Sequence, residues 1–357
     1  MKIGILTFHC AKNFGAVLQC FALYTFLKNK GYEVGVVDYK PYYLAGVDED
    51  SSFYKRFITY LKSIFYRILN FGETEIGDIY KHFRNRHIEL IDVKDIKKLD
   101  LLICGSDQIW NPNITKGFDP MYFGLHAITP HTKVISYAAS MGLPALSDSE
   151  IDVFLSMIVN YDSISVREQS LSDFLNTHKI ENRVVVDPVI LAGIESFKSI
   201  IIPIRQKKKY VLVYELTRMP YTYTLARNLA SQIDAEVIVI GGGLKRCFSR
   251  GILNKQWLSP SQFVSYFSAA VCVVTNSFHG LAFSLLFNKP LYILKTQTWK
   301  DDRLLSLLSQ VDLSDRVIDH DIDVEFTTID YTLPNKKINE LQSLSSVFLI
   351  KNIESVI

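Results

Sequence analysis

The hexapeptide Thr275-Asn276-Ser277-Phe278-His279-Gly280 gathers two hydroxyls, a carboxamide and an imidazole. Ahead of it, Ala269 to Val274 are small or branched apolar residues that read as a buried parallel strand. Behind it, Leu281 to Phe287 read as a short apolar helix halted at Asn288-Lys289-Pro290, and Leu291 to Leu294 as the next strand. A polar turn at the carboxyl end of a strand is where open α/β sheets bind ligands. Ser277 and the first amides of the helix can hold an anion there, with His279 beside it as a proton donor. The plainer reading is that Asn276 or Ser277 only caps the helix and His279 only satisfies backbone groups.

Two further constellations could do chemistry. Asp100 to Cys104 read as a strand that runs into Gly105-Ser106-Asp107-Gln108-Ile109-Trp110, bringing backbone amides, a hydroxyl and a carboxylate to one strand end. Trp110 is a platform for a sugar ring or a core aromatic. Ser163 to Val166 read as a short strand, and Arg167-Glu168 as the start of the next helix, where a cation opposes the helix dipole. Arg167 is therefore expected to bind an anion or carboxylate, or to form a surface ion pair with Glu168 or Asp173.

Three-hundred and fifty-seven residues, 48% of them apolar, exceed one ordinary core and suit two domains of about 150 residues each. The alternation of strands and helices predicts two doubly wound, Rossmann-like α/β domains with a central cleft. The first spans 1–190 and the second 205–333, with a linker from Ile190 to about Lys209. An amphipathic helix within 334–357 is expected to fold back on the first domain. The opening strand Ile3 to Leu6, a loop through Gly15, a helix to Lys28 and a strand from Glu33 to Asp38 resemble a nucleotide-type unit. They lack the G-x-G-x-x-G fingerprint, so a NAD site is rejected.

A formal charge of +2 gives no case for nucleic acid. The five scattered cysteines show no paired metal-ligand spacing or disulfide framework, and no metal is expected. No apolar run is long enough for a membrane-spanning helix and the first residues lack a signal peptide's apolar core, so a cytoplasmic protein is expected. Phe53, Phe57, Tyr60, Leu61, Ile64, Phe65 and Ile68 fall on one helical face, with Lys55, Arg56, Lys62 and Arg67 as its charges. Such a helix over 53–69 either touches an anionic membrane surface or packs on its own domain. Gly241-Gly242-Gly243 after a predicted strand allows a ligand's close approach or a tight turn.

Asn13-Phe14-Gly15-Ala16-Val17-Leu18-Gln19, Gly105 to Pro112, Ser165-Val166-Arg167-Glu168, Asp187-Pro188 and Thr275 to Gly280 occur in an order and spacing that resemble the polysaccharide pyruvyl transferase family, over about Met1 to Arg316. The resemblance implies a two-domain fold like that of GT-B glycosyltransferases. It also implies transfer of the carboxyethylidene group of phosphoenolpyruvate onto two hydroxyls of a sugar, with no cofactor beyond that donor. Family knowledge sets the donor near Arg167 and His279. The expected catalytic residues are thus His279, Arg167 and Asp107, and the expected substrate-binding residues Asn13, Gly15, Gly105, Ser106, Asn276, Ser277 and Arg303. The acceptor would be a precursor of a capsule, exopolysaccharide or other cell-surface glycan, lipid-linked at the inner membrane face.

The chain departs from the family where many members carry an aspartate after the first-loop glycine; Ala16 stands there. A role for that carboxylate cannot be carried over, and Asp107 is the substitute for acceptor binding or proton removal, unless it only caps its loop. Two other functions stay open: a nucleotide-sugar-dependent GT-B glycosyltransferase, and a non-catalytic glycan-assembly protein.

Overall fold

The computed structural model describes residues 1–45, 79–142, 146–241, 251–298, 301–319 and 324–356. The expected helix over 53–69 lies outside them, as do Gly242 and Gly243. Two units result, the first made of Met1–Gly46, Tyr80–Ser196 and Asn335–Ile357, the second containing Phe197–Pro334.

The first unit is wound on a five-stranded sheet: β1 (Lys2–Leu6), β2 (Glu33–Val37), β3 (Leu90–Ile91), β4 (Leu101–Cys104) and β5 (Lys133–Ser136). The spatial order is β3-β2-β1-β4-β5 and every pairing is parallel. Ile3, Ile5, Val36, Leu101 and Ile103 are fully buried, as expected of strands covered on both faces. Helix α1 (Phe14–Asn29) follows β1, and Asn13 caps it by accepting from the Ala16 amide at 3.1 Å. Gly31, at φ +86°, turns the chain out of it. Helix α2 (Ile79–His87) lies along α1, with Phe14–Tyr80 and Phe21–Phe83 ring centroids 5.4 and 5.5 Å apart.

A two-stranded sheet of β6 (Ser165–Val166) and β7 (Arg183–Val184) joins the β5 edge through the bridges Ile135–Ser163 and Ala139–Val166. Around it stand α3 (Asp148–Ile158), opened by the capping box of Ser147 and Glu150, α4 (Gln169–Thr177) and α5 (Pro188–Ala192). The stretch expected as a linker from Ile190 thus begins inside a helix and holds another, Glu195–Lys198, because Asp187 and Pro188 start a helical turn there. The final helix, Thr332–Glu354, contributes its part from Asn335 onward to this unit. Gln342 donates to the Ile190 carbonyl at 2.6 Å, the Ser345 hydroxyl accepts from the Val186 amide at 3.0 Å, and Leu349 and Ile353 are buried.

The second unit repeats the plan with β8 (Tyr210–Tyr214), β9 (Glu236–Ile240), β10 (Ile252–Lys255), β11 (Cys272–Thr275), β12 (Leu291–Leu294) and β13 (Val317–Ile318). Their order is β10-β9-β8-β11-β12-β13, again all parallel. The helices are α6 (Thr222–Gln232), α7 (Pro260–Ala269, with a Ser259–Gln262 capping box), α8 (Phe278–Leu286) and α9 (Asp301–Gln310).

Both strand orders run outward in opposite directions from their first strand. The winding reverses between β1 and β4 in the first unit and between β8 and β11 in the second. At those two points the loops leaving the carboxyl ends diverge and open a crevice. The Gly105–Asp107 loop follows β4, and the Asn276–Gly280 turn follows β11. The topology therefore puts both candidate loops at the places where such sheets take ligands.

Candidate active site

In the first unit the two loops of the switch point are tied together. Thr7, just past β1, donates its hydroxyl to the Ser106 carbonyl at 2.9 Å, and Gln19 of α1 donates back to the Thr7 hydroxyl at 2.8 Å. Gly105 has φ +119°, and a Cβ there would meet the Tyr137 carbonyl oxygen at 2.3 Å, so only glycine lets the strands approach this closely. Gly15 is buried within the first turn of α1 and Asn13 is exposed at its cap.

Behind Ser106 lies a buried ionic cluster. Arg167 donates from Nη1 to Asp187 Oδ2 at 2.8 Å, its Nε lies 3.7 Å from Glu168 Oε1, and Ser106 donates to the same Asp187 oxygen at 3.2 Å. The Ser140 hydroxyl donates to Glu168. The Arg167 side chain is 2% exposed. Burial works against its charge, but the carboxylates of Glu168, Asp187 and Asp107 outweigh it and hold the guanidinium firmly protonated. Arg167 and Asp107 are thus brought into one field.

Helix α4 starts only at Gln169, with Glu168 at its cap position. Arg167 precedes it, so the dipole conflict expected of a helix-opening arginine does not arise. Its partners are buried carboxylates, not a surface pair with Asp173. Asp107 sits at φ +75°, accepts from the Gln108 amide at 2.8 Å and is half-buried; the loop-capping contact is present and leaves part of its carboxylate at the surface. Trp110 is fully buried, with Phe123, Phe154 and Tyr161 rings 5.6 to 5.9 Å away, so it is core and not a sugar platform.

In the second unit the turn after β11 is built by its own polar groups. Thr275 donates to the Tyr214 carbonyl and accepts from the Ser277 amide at 3.0 Å. Asn276 accepts from the Leu216 amide at 2.8 Å and donates to the Thr217 carbonyl, clamping the loop after β8. Ser277 caps α8 by accepting from the Gly280 amide at 3.3 Å. The capping role therefore falls to Ser277, and Asn276 holds the neighbouring loop instead. A Cβ on Gly280 would meet Thr275 Oγ1 at 2.3 Å, so the glycine lets helix and strand end touch.

That close approach fixes His279, half-buried on the first turn of α8, next to N–H groups that have no acceptor within the helix. Arg303, half-buried, is carried by α9, which packs on α8. The turn thus joins an imidazole to a helix end that favours negative charge.

Roles for Asp187, Ser140, Gln19 and Glu215 were not foreseen, and Glu168 was expected only as a surface partner of Arg167. Glu215 accepts from the Thr222 hydroxyl at 2.8 Å and the Tyr223 hydroxyl at 2.7 Å just past β8. Asp187 and Glu168 stood within quoted motifs, and an acid directly before proline or after an arginine was the available signal. Among the described residues no group of three or more His, Cys, Asp or Glu is arranged to hold a metal, and no helix is long and apolar enough to cross a membrane.

Solved structures similar to this chain include the UDP-GlcNAc 2-epimerase from Neisseria meningitidis bound to UDP-GlcNAc, at TM-score 0.52 and 11% identity over 100% of this chain and 93% of that one. The S. aureus MnaA–UDP co-structure gives TM-score 0.51 and 12% identity over 95% and 87%. At such identity the likeness establishes the fold, the GT-B pairing of Rossmann-like domains. No curated protein sequence matches the chain. The profile of the polysaccharide pyruvyl transferase family, in contrast, matches residues 13–297, which takes in the first loop, the Gly105–Asp107 loop, the buried arginine and the Ser277–Gly280 turn. With four-fifths of its length so matched, the chain belongs to the polysaccharide pyruvyl transferase family.

Proposed function

We propose that the protein transfers the carboxyethylidene group of phosphoenolpyruvate onto two hydroxyls of one sugar in a cell-surface polysaccharide precursor, forming a cyclic ketal and releasing phosphate. The observation that carries this reading is the turn after β11, where Gly280 lets α8 touch the strand end and so sets His279 beside the helix amino terminus.

Phosphoenolpyruvate brings a carboxylate and a phosphate. The amino end of α8 and the Arg303 guanidinium attract one of them. His279, protonated, adds its proton to the methylene carbon as general acid. One sugar hydroxyl bonds to the carbon left cationic and gives up its proton. The second hydroxyl displaces phosphate at that carbon. Of the two hydroxyl protons, one replaces that of His279 and the other leaves with phosphate, so the balance closes with no oxidation and no further reactant.

In the first unit Asp107 is the acceptor-side carboxylate, with the backbone of Gly105 and the α1 cap at Asn13 and Gly15 beside the same switch point. Ser106 and Arg167 act as positioning residues, since Ser106 Oγ and Arg167 Nη1 both donate to Asp187. The acceptor is a lipid-linked glycan met at the cytoplasmic membrane face.

Purified protein incubated with phosphoenolpyruvate and galactose-, mannose- or N-acetylmannosamine-containing acceptors should release phosphate and yield a ketal methyl signal by NMR. No phosphate release with any acceptor would sink the reading.

A further inference from the structure

Arg84 has no function in the reaction above, yet its setting is unusual. It follows Phe83 on α2, whose rings seat that helix against α1: Phe21 to Phe83 at 5.5 Å and Phe21 to His87 at 5.9 Å. The residue is 5% exposed, and its Nη1 is buried without a hydrogen-bond acceptor among the described residues. Its charge is felt by His9 and Cys10 in the loop between β1 and α1, and by Cys20 in the second turn of α1. The guanidinium therefore lies near that loop.

None of these neighbours supplies a counter-charge. His9 is fully buried between Asp38, 3.0 Å from its Nε2, and the Thr7 carbonyl, and burial lowers its pKa. The Cys20 thiol is pushed up to about 12 by burial and the Cys10 thiol is raised by the same cause, so both stay neutral. The Asp38 carboxylate is already shared by His9 and Lys40. A buried cation with no counter-charge among the described residues is destabilising unless an anion reaches it. That loop leads into a sixteen-residue helix with no acid in its first turn.

We propose that the β1–α1 loop and the amino end of α1, with Arg84 near them, form a phosphate subsite that holds the phosphorylated part of the glycan acceptor. A guanidinium edge matches two oxygens of a tetrahedral oxyanion, and a helix amino terminus favours the same charge. The subsite stands on this geometry; only its assignment to the acceptor rests on the transferase reading. The phosphate would anchor the acceptor at the crevice between β1 and β4, next to the Gly105–Asp107 loop.

Pyrophosphate is the probe. Titrated calorimetrically into the full-length protein at constant ionic strength, it should bind saturably, and Arg84→Leu should weaken that binding about tenfold or more. Arg84→Leu without ligand should melt no lower than the wild type, since it removes a buried charge, and pyrophosphate should no longer raise its melting temperature. Asn13→Asp supplies a second arm: aspartate keeps the cap but sets a negative charge at the loop, so binding should weaken with the fold intact. Phosphoenolpyruvate should bind Arg84→Leu as it binds the wild type and should not displace pyrophosphate from the Arg84-dependent site. Absence of saturable pyrophosphate binding, or binding unchanged in both variants, overturns the subsite. Competition by phosphoenolpyruvate, with both ligands lost in Arg84→Leu, gives the subsite to the donor and overturns the acceptor assignment. Failure of the transferase reading shows separately, as absent phosphoenolpyruvate-dependent phosphate release.

Discussion

Arg167 and Asp187 form a 2.8 Å ion pair with side chains 2% and 0% exposed, twenty residues apart in the chain. The pair ties the end of β6 to the start of α5, and through Ser106 it reaches the loop after β4. A buried pair of this kind is weak evidence for added stability, since desolvation offsets most of the attraction. Its removal from one side is another matter.

Arg167→Met leaves Asp187 and Glu168 buried without their cation, so it should destabilise the protein by about 3–5 kcal/mol. Arg167→Lys, which keeps a point charge but not the planar fork, should lose less. Urea denaturation curves measure both. An Arg167→Met protein as stable as the wild type but unable to bind phosphoenolpyruvate would instead return the arginine to donor binding.

Gly280→Ala places a methyl 2.3 Å from Thr275 Oγ1, whose hydroxyl is already committed to the Tyr214 carbonyl and the Ser277 amide. Neither backbone can yield without moving the turn. The expected outcome is a loss of about 1–3 kcal/mol by overpacking, with transfer activity falling more steeply because His279 rides on the displaced helix end. Thermal melts and turnover measured on the same preparation separate the two effects.

Much of this arrangement was legible in the chain because it is local. Runs such as Val271 to Thr275 and Leu101 to Cys104 declare buried parallel strands, and the Ser147–Glu150 and Ser259–Gln262 spacings declare helix starts. What could not be read is what depends on distant residues meeting. Trp110 looks the same in sequence whether it lines a sugar site or fills a core, and only its contacts with Phe123, Phe154 and Tyr161 decide. Arg167 reads in sequence as a partner for an anion or a carboxylate, and only the fold brings Asp187, across β7, onto it. Arg84 carries no motif at all; its meaning comes from its burial near a loop some seventy residues earlier.

Stability should also depend on pH below neutrality. Burial lowers the pKa of His9, against the opposing pull of Asp38, and lowers that of His87. The unfolded chain takes up these protons near the ordinary value of 6.5, while the folded protein resists them. Stability is therefore full above about pH 6.5 and falls as pH drops from there to the lowered folded values, by at most about 1.4 kcal/mol per pH unit for the buried His9 and by less for the solvent-screened His87. Asp38 adds to the fall in stronger acid: burial raises its pKa, but its bonds to Lys40 and His9 win and hold it low. Urea midpoints between pH 7 and 5 should show the slope, and His9→Gln should flatten it. A slope unchanged by that substitution would place the proton uptake elsewhere.

His279 bears the chemical step in the proposed reaction, so its replacement should separate catalysis from folding. It lies half-buried on the first turn of α8, where loss of the ring removes little packing. His279→Gln keeps a polar group of similar reach but cannot donate an acidic proton, and kcat should fall about 10²–10⁴-fold. The dissociation constant for phosphoenolpyruvate should stay within a few-fold, because the Ser277 cap and the helix amino end are untouched. Single-turnover phosphate release measures the first quantity and calorimetric titration the second. A variant that turns over normally would remove the imidazole from the mechanism, and with it the reason for Gly280 to hold helix and strand so close.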